Sequence, residues 1–283
     1  MVDSNTFNDA ILKVRNLAFS YGQKPVLKDI NLDVRPGTCL CLMGVNGCGK
    51  STLLDCILGE HQLLRGQVEI ANNDCLSMDY QRRAELISYV PQTQAKTFPY
   101  LVEHIVLMGR AAKSPSWANP SDEDLEKVHQ ALETCGIRKY AQCPYTQLSG
   151  GETQMVMLAR ALVQDTPVMI MDEPTAHLDF KNELIFLETV EHLVLNKGTT
   201  VLMATHNPNQ AFHLQTAGVD VEVAVMSEGE IIGQGLPEDI LTEDLLKKTF
   251  SVDARIAQFN EGRMGFGAIT QIIPLHTTDF KKG

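Results

Sequence analysis

The sequence predicts an α/β fold built on a largely parallel sheet flanked by helices, and three observations carry that expectation. Short apolar runs at 39–44 (CLCLMG), 168–172 (VMIMD) and 200–206 (TVLMATH) read as buried strands. Longer helical stretches alternate with them: KSTLLDCILG, GETQMVMLARALVQ and ELIFLETVEHLVLNKG. The first apolar run leads straight into a glycine-rich loop and then a helix, the order expected of a strand–loop–helix unit in a parallel sheet.

The elements follow in chain order. From about 11 to 40, LKVRNLAFSYG and PVLKDINLDV alternate apolar and polar positions, which predicts strands with one buried face. Tyr21-Gly22 and Arg35-Pro36-Gly37 are turn signals between them. From about 95 to 165 the character becomes mostly helical. SDEDLEKVHQALETCG carries Ser121 as a candidate N-cap, acids in its first turn and Gly136 at its end. KSPSWANP, just before it, reads as an exposed loop. After the second and third apolar runs, VEVAVMSEGEIIGQG reads as a hairpin, and the residues beyond about 240 as a short helix with an ill-defined tail. No internal repeat or low-complexity tract is visible.

Bulk composition narrows the function classes. The 283 residues are 44% hydrophobic and 21% charged, enough apolar material for a sizeable core. A formal net charge of -11 argues against broad contact with nucleic-acid phosphates. No run of about 18 apolar residues offers a membrane span, and MVDSNTFNDA lacks the basic-then-apolar pattern of a secretory signal. The expectation is a cytosolic protein whose membrane contact runs through a partner. Seven cysteines with no C-x-x-C pair point to reduced structural thiols rather than a metal site; Cys39 and Cys41 share a buried strand.

Chemistry is concentrated at three places. Gly44-Val45-Asn46-Gly47-Cys48-Gly49-Lys50-Ser51 fits G-x-x-x-x-G-K-[ST] without departure. Glycines let the backbone wrap so that successive N–H groups point at phosphate oxygens, and the helix that follows offers its positive end. Lys50 then reaches the β- and γ-phosphates, the Ser51 hydroxyl ligates Mg²⁺, and Thr52 follows on the same turn. A bare glycine turn explains the pattern less well, because it sits between a predicted strand and a predicted helix. Asp172 and Glu173 end the second apolar run, where Asp172 can serve the metal and Glu173, pointing elsewhere, can act as general base on an attacking water. His206 ends the third run, at the strand end where parallel sheets gather ligands, and can contact a γ-phosphate.

The third place is Leu148-Ser149-Gly150-Gly151-Glu152, followed by Gln154. Alone, it reads as a helix-capping loop with Ser149 as cap and Glu152 in the first turn. In the company of the phosphate loop and MDEP it resembles the signature sequence of the ATP-binding-cassette (ABC) ATPases, and the resemblance extends from about residue 11 to 255. It implies a P-loop NTPase cassette with a RecA-like core, an antiparallel β subdomain and a helical subdomain at about 95–165. The cassette would occupy 11–240 and a C-terminal helix and tail 241–283.

The resemblance also implies roles. Tyr21 matches the aromatic that stacks on adenine, Gln92 in YVPQ the glutamine that touches Mg²⁺ and links to the membrane partner, His177-Leu178-Asp179 the loop after the catalytic glutamate, and His206 the switch histidine. Ser149, Gly150, Gly151 and Glu152 would close on the nucleotide held by a second copy, so a head-to-tail homodimer with two sandwiched ATP molecules is expected. Other implied partners are transmembrane permease subunits and, through them, a substrate-binding protein, at the cytoplasmic face of the membrane; nucleic acid is not among them. Val45 and Thr153 depart from common family residues at positions that supply no required group.

VLMGR (106–110), EPTAHLDF (173–180) and the stretch GQGLPEDILTEDLLKKTFSVDARI are similar to the ATPases of iron–siderophore, haem and cobalamin importers. Zinc, manganese or molybdate importers are the nearest alternative, and a soluble repair or translation ATPase or a non-hydrolysing regulatory subunit more distant ones. Phe98, Pro99, Tyr100 and Leu101 form an apolar patch suited to docking the membrane subunit, with ordinary packing between lobes as the other reading.

Overall fold

The computed structural model describes residues 10–92, 96, 98–113, 120–259 and 269–278. Contacts divide the chain into two compact units, one made of residues 1–76 and 202–283, the other of 77–201.

In the first unit, β1 (Leu12–Tyr21) pairs antiparallel with β2 (Lys24–Val34) and with β4 (Arg65–Ile70), and β5 (Asn73–Asp74) extends the sheet beyond β4. The alternating sequence of β1 and β2 has its reason here: Leu12, Val14, Ile30, Leu32 and Val34 are buried. A second sheet runs in the order β10 (Glu230–Gly235), β9 (Val221–Ser227), β3 (Cys39–Met43), β8 (Thr200–Thr205). β3 and β9 are parallel, and every residue of β3 is buried, which is why it reads as an unbroken apolar run. β9 and β10 form the expected hairpin; its two-residue turn puts Glu228 at φ 48° and Gly229 at φ 80°. α1 (Lys50–Leu58) ends on Gly59 in the left-handed conformation.

The C-terminal part corrects the expectation of an ill-defined tail. After α7 (Asn209–Thr216), α8 (Pro237–Ile240) and α9 (Glu243–Phe250), β11 (Val252–Phe259) and β12 (Ile269–Thr277) form an antiparallel ribbon. Asn209 at the start of α7 anchors it, its side chain accepting from the Ile272 N–H at 2.7 Å and donating to the Ile272 carbonyl at 3.1 Å. Ile272 and Ala254 are the ribbon's buried residues.

In the second unit, β6 (Ile87–Val90) pairs in parallel with β7 (Val168–Asp172), from Ile87↔Val168 to Val90↔Met171. Around this pair lie α2 (Tyr80–Leu86), α3 (Val102–Leu107), α4 (Asp122–Thr134), α5 (Gly150–Gln164) and α6 (Phe180–Lys197). Ser121 caps α4 in a reciprocal box with Asp124, and Gly136 follows the helix end at φ 66°. Arg110, just after α3, is buried and binds both Asp124 (Nε to Oδ1, 2.8 Å) and the Val163 carbonyl (2.9 Å), so one guanidinium fastens α3, α4 and α5 together. Gly109 makes the α3–α5 approach possible, since a Cβ there would lie 2.2 Å from the Arg160 carbonyl oxygen. In the KSPSWANP segment, 114–119 lie outside the described residues.

Candidate functional site

The first unit carries the phosphate loop. Gly44 leaves β3 with no room for a side chain: a Cβ would stand 2.4 Å from the Met226 carbonyl oxygen and 2.6 Å from Cys48 Sγ. Gly47 and Gly49 hold φ of 80° and 111°, a region L-residues with side chains rarely adopt. Gly49 stands at the N-cap of α1 and brings no side chain to that helix end, whose first turn holds no acid. The end of α1 therefore presents amide groups and positive dipole potential to an anion. Lys50 is 5% exposed, and its ammonium donates to the Gly44 carbonyl at 2.8 Å, spanning the loop. Ser51 and Asn46 are exposed, while Cys48 is buried as packing.

A residue that sequence reasoning missed buttresses this loop. Gly229, in the β9–β10 turn, donates its N–H to the Cys48 carbonyl at 3.1 Å, and its own carbonyl accepts from Lys28 N–H at 3.0 Å. A Cβ at Gly229 would fall 2.1 Å from the Val26 carbonyl oxygen. The Glu-Gly pair within an alternating hairpin was the available signal.

Tyr21, at the end of β1, is 52% exposed. Its hydroxyl lies 3.1 Å from His61 Nε2, and its ring stands edge-on to Phe19 and to His61. His206, which follows β8, is exposed, while the neighbouring Thr205 is buried and bonds the Gln210 side chain at 2.7 Å.

The second unit carries the acidic strand end and the signature loop. Asp172, the last residue of β7, is 5% exposed. Glu173 turns away from the strand at φ 42°, a left-handed conformation that costs a non-glycine residue about 1–2 kcal/mol. The Gln92 amide donates to Glu173 Oε2 at 3.1 Å. Gln92 and Glu173, both singled out from sequence, are thus brought together.

Ser149 caps α5: its hydroxyl binds Glu152 Oε2 at 2.8 Å and accepts from the Glu152 N–H at 3.3 Å, and its N–H donates to the same carboxylate at 2.8 Å. The Tyr140 hydroxyl, then the Ser149 backbone, hold the Glu152 carboxyl below its ordinary pKa. The capping reading and the signature reading therefore coexist, for the box fixes Ser149 and Gly150 at the exposed tip of the helix. Gly151 packs under His177, whose carbonyl oxygen would lie 3.5 Å from a Cβ there. Gln154 binds the Pro91 carbonyl at 2.9 Å and Lys96 the Leu148 carbonyl, tying the segment around Gln92 to the signature helix.

Tyr100 is 48% exposed and Phe98 is also exposed, with ring centroids 5.9 Å apart. Leu101 is half-buried and bridges Pro144, so the apolar patch is only partly surface.

For a metal, the residues proposed from sequence offer the Ser51 hydroxyl, the Gln92 amide oxygen and the Asp172 carboxylate. Each is a hard oxygen donor of the kind Mg²⁺ selects. Among the described residues no group of three or more His, Cys, Asp or Glu could hold a metal.

A strand, a glycine loop closing on a buried lysine and a helix that starts on a glycine, in an α/β frame, define a nucleotide-binding protein of the phosphate-loop class. A family model described as ABC transporter matches residues 27–176. The molybdate import ATP-binding protein MolC of Haemophilus influenzae is 33% identical over 273 residues, 95% of this chain and 98% of that one. The iron(3+)-hydroxamate import ATP-binding protein FhuC of Bacillus subtilis is 31% identical over 245 residues, 87% and 89% of the two chains. A solved structure assigned to the metal-chelate type of ABC transporter matches with a TM-score of 0.79 at 31% identity, covering 95% of this chain and 98% of that one. The chain belongs to the ABC transporter family and is an ATP-binding, ATP-hydrolysing cassette of it.

Proposed function

We propose that this chain energises an importer of a metal-bearing cargo, with Glu173 as the base that activates water against ATP. The observation that carries the catalytic reading is the Gln92–Glu173 hydrogen bond, 3.1 Å, at the end of a buried strand. It links the glutamate to the segment that precedes the apolar patch.

In this reading the Gly44–Ser51 loop and the start of α1 bind the phosphates, Lys50 neutralises charge on the β- and γ-oxygens, and Tyr21 stacks on adenine. Glu173 accepts the proton of a water as its oxygen attacks the γ-phosphorus, the bond to the bridging oxygen breaks, and ADP and phosphate leave. His206 holds the γ-phosphate geometry. Mg²⁺, when bound, would supply charge neutralisation on the phosphates, with Ser51, Gln92 and Asp172 to hold it. Ser149, Gly150 and Gly151 of a second copy add amide groups at the γ-phosphate, so that ATP joins two chains and hydrolysis releases them.

Residues 11–240 form the cassette, about 95–165 its helical subdomain, and 241–283 a C-terminal helix and appended segment. The permease docks at Phe98, Pro99 and Tyr100, which places the chain at the cytoplasmic face of the membrane, with a substrate-binding protein on the other side of the permease. No helix among the described residues is long and apolar enough to cross a membrane.

Two cargo classes have support. FhuC and the metal-chelate type structure favour an iron chelate, with haem and cobalamin as chemically related cargoes. MolC, matched over nearly its whole length, favours molybdate as the second reading.

Glu173→Gln tests the base directly: hydrolysis by the purified chain should fall by at least about 10²-fold while ATP binding persists. Hydrolysis at the wild-type rate would remove Glu173 from the mechanism.

A further inference from the structure

Three aromatic rings meet where β1 ends. Phe19 and His61 stack face to face, centroids 4.6 Å apart and 12° from parallel. Tyr21 stands perpendicular to both, 4.9 Å from Phe19 at 88° and 5.5 Å from His61 at 86°. The Tyr21 hydroxyl meets His61 Nε2 at 3.1 Å. Phe19 is buried and so fixes the His61 ring from beneath, and Asp55 in α1 lies 3.8 Å from the same nitrogen of His61. Tyr21 keeps about half its surface open while its orientation is set at two points, the ring edge and the hydroxyl.

We propose that His61 is a positioning residue for the nucleobase: it locks the Tyr21 ring in the orientation that stacks on adenine. This rests on the reading of Tyr21 as the adenine platform. A tyrosine on a strand end otherwise rotates about two side-chain bonds, and base binding must then pay for ordering it. Here the chain's own His61 and Phe19 already hold the ring. The bond survives in either charge state of the imidazole, because a tyrosine hydroxyl can donate to a neutral nitrogen or accept from a protonated one. His61 directly follows the Gly59-Glu60 turn after α1, so the helix that begins at the phosphate loop also delivers the histidine that orients the base platform.

The test compares ATP with inorganic tripolyphosphate, which has the phosphates and no base. Binding to the full chain is measured by displacement of a ribose-labelled fluorescent ATP, for wild type, His61→Ala, His61→Gln and Tyr21→Ala. One lost positioning hydrogen bond should raise the ATP Kd of His61→Ala about three- to tenfold, with tripolyphosphate affinity unmoved and His61→Gln, which keeps a hydrogen-bonding group, closer to wild type. Tyr21→Ala should weaken ATP at least as much. Wild-type ATP affinity in His61→Ala beside weakened Tyr21→Ala would overturn the positioning role alone. Equal weakening for ATP and tripolyphosphate in His61→Ala would also overturn it, as general damage to the loop. Unchanged ATP affinity in Tyr21→Ala would remove the adenine platform and the lock with it.

Discussion

Gly229 shows how a residue far from any motif can decide whether a motif works. Its N–H holds the Cys48 carbonyl on the outer side of the phosphate loop, its φ is 80°, and the space a Cβ would need is filled by the Val26 carbonyl oxygen at 2.1 Å. Gly229→Ala should therefore cost about 1–3 kcal/mol of stability from the clash and lower ATP affinity beyond what the stability loss explains. Chemical unfolding and ATP titration of the same variant check this, and an unaltered midpoint would contradict so close an approach of Gly229 to Val26. Gly44, Lys50, Glu173 and Ser149 were legible in the sequence because a phosphate loop, a strand end and a helix cap are set by neighbours within a few positions. Gly229 and His61 were not, since what they touch lies 181 and 40 positions away, between Cys48 and Gly229 and between Tyr21 and His61. The positive φ of Glu173 was equally hidden, because nothing in MDEP announces a left-handed glutamate.

At the level of elements, the helical part of the second unit turns on one buried ion pair. Arg110 and Asp124 are each about 8% exposed at the side chain, and the Arg110 guanidinium, ahead of the Ser121 contacts, holds the Asp124 carboxyl below the usual carboxylate range. A depressed folded-state pKa means that the stabilisation is fully present above the unfolded value of about 4 and is lost as pH falls through the lowered folded value. Asp124→Asn leaves Arg110 buried without its counter-charge, for a loss of up to about 3 kcal/mol near neutral pH. Its Tm should then fall less than the wild type's between about pH 5 and pH 3. Parallel Tm-versus-pH curves for the two proteins would contradict the assignment. Elements with strong periodicity or full burial, such as β3, β7, α4 and α5, could be read from residue pattern. β4, β6 and the β11–β12 ribbon could not. RGQVEI begins with three exposed residues, ISYV is four residues long, and much of the ribbon is exposed, so each carries too little apolar contrast to distinguish strand from loop.

For the whole molecule, the proposed function depends on a second copy. The signature loop is fixed in place by its own chain: the Ser149–Glu152 box, the Lys96 contact to Leu148 and the packing of Gly151 under His177 set its position. Such a preset tip suits a surface that recognises a ligand held by another chain, since little ordering remains to oppose association. The measurement that bears most directly on this is the mass in solution of the Glu173→Gln chain with and without ATP. Saturating ATP should convert a 31.3 kDa species to one of twice that mass, and adding Gly150→Asp, which sets a carboxylate against the γ-phosphate, should abolish the conversion while leaving the single chain folded. A Glu173→Gln chain that binds ATP yet stays at the mass of one copy would contradict the account.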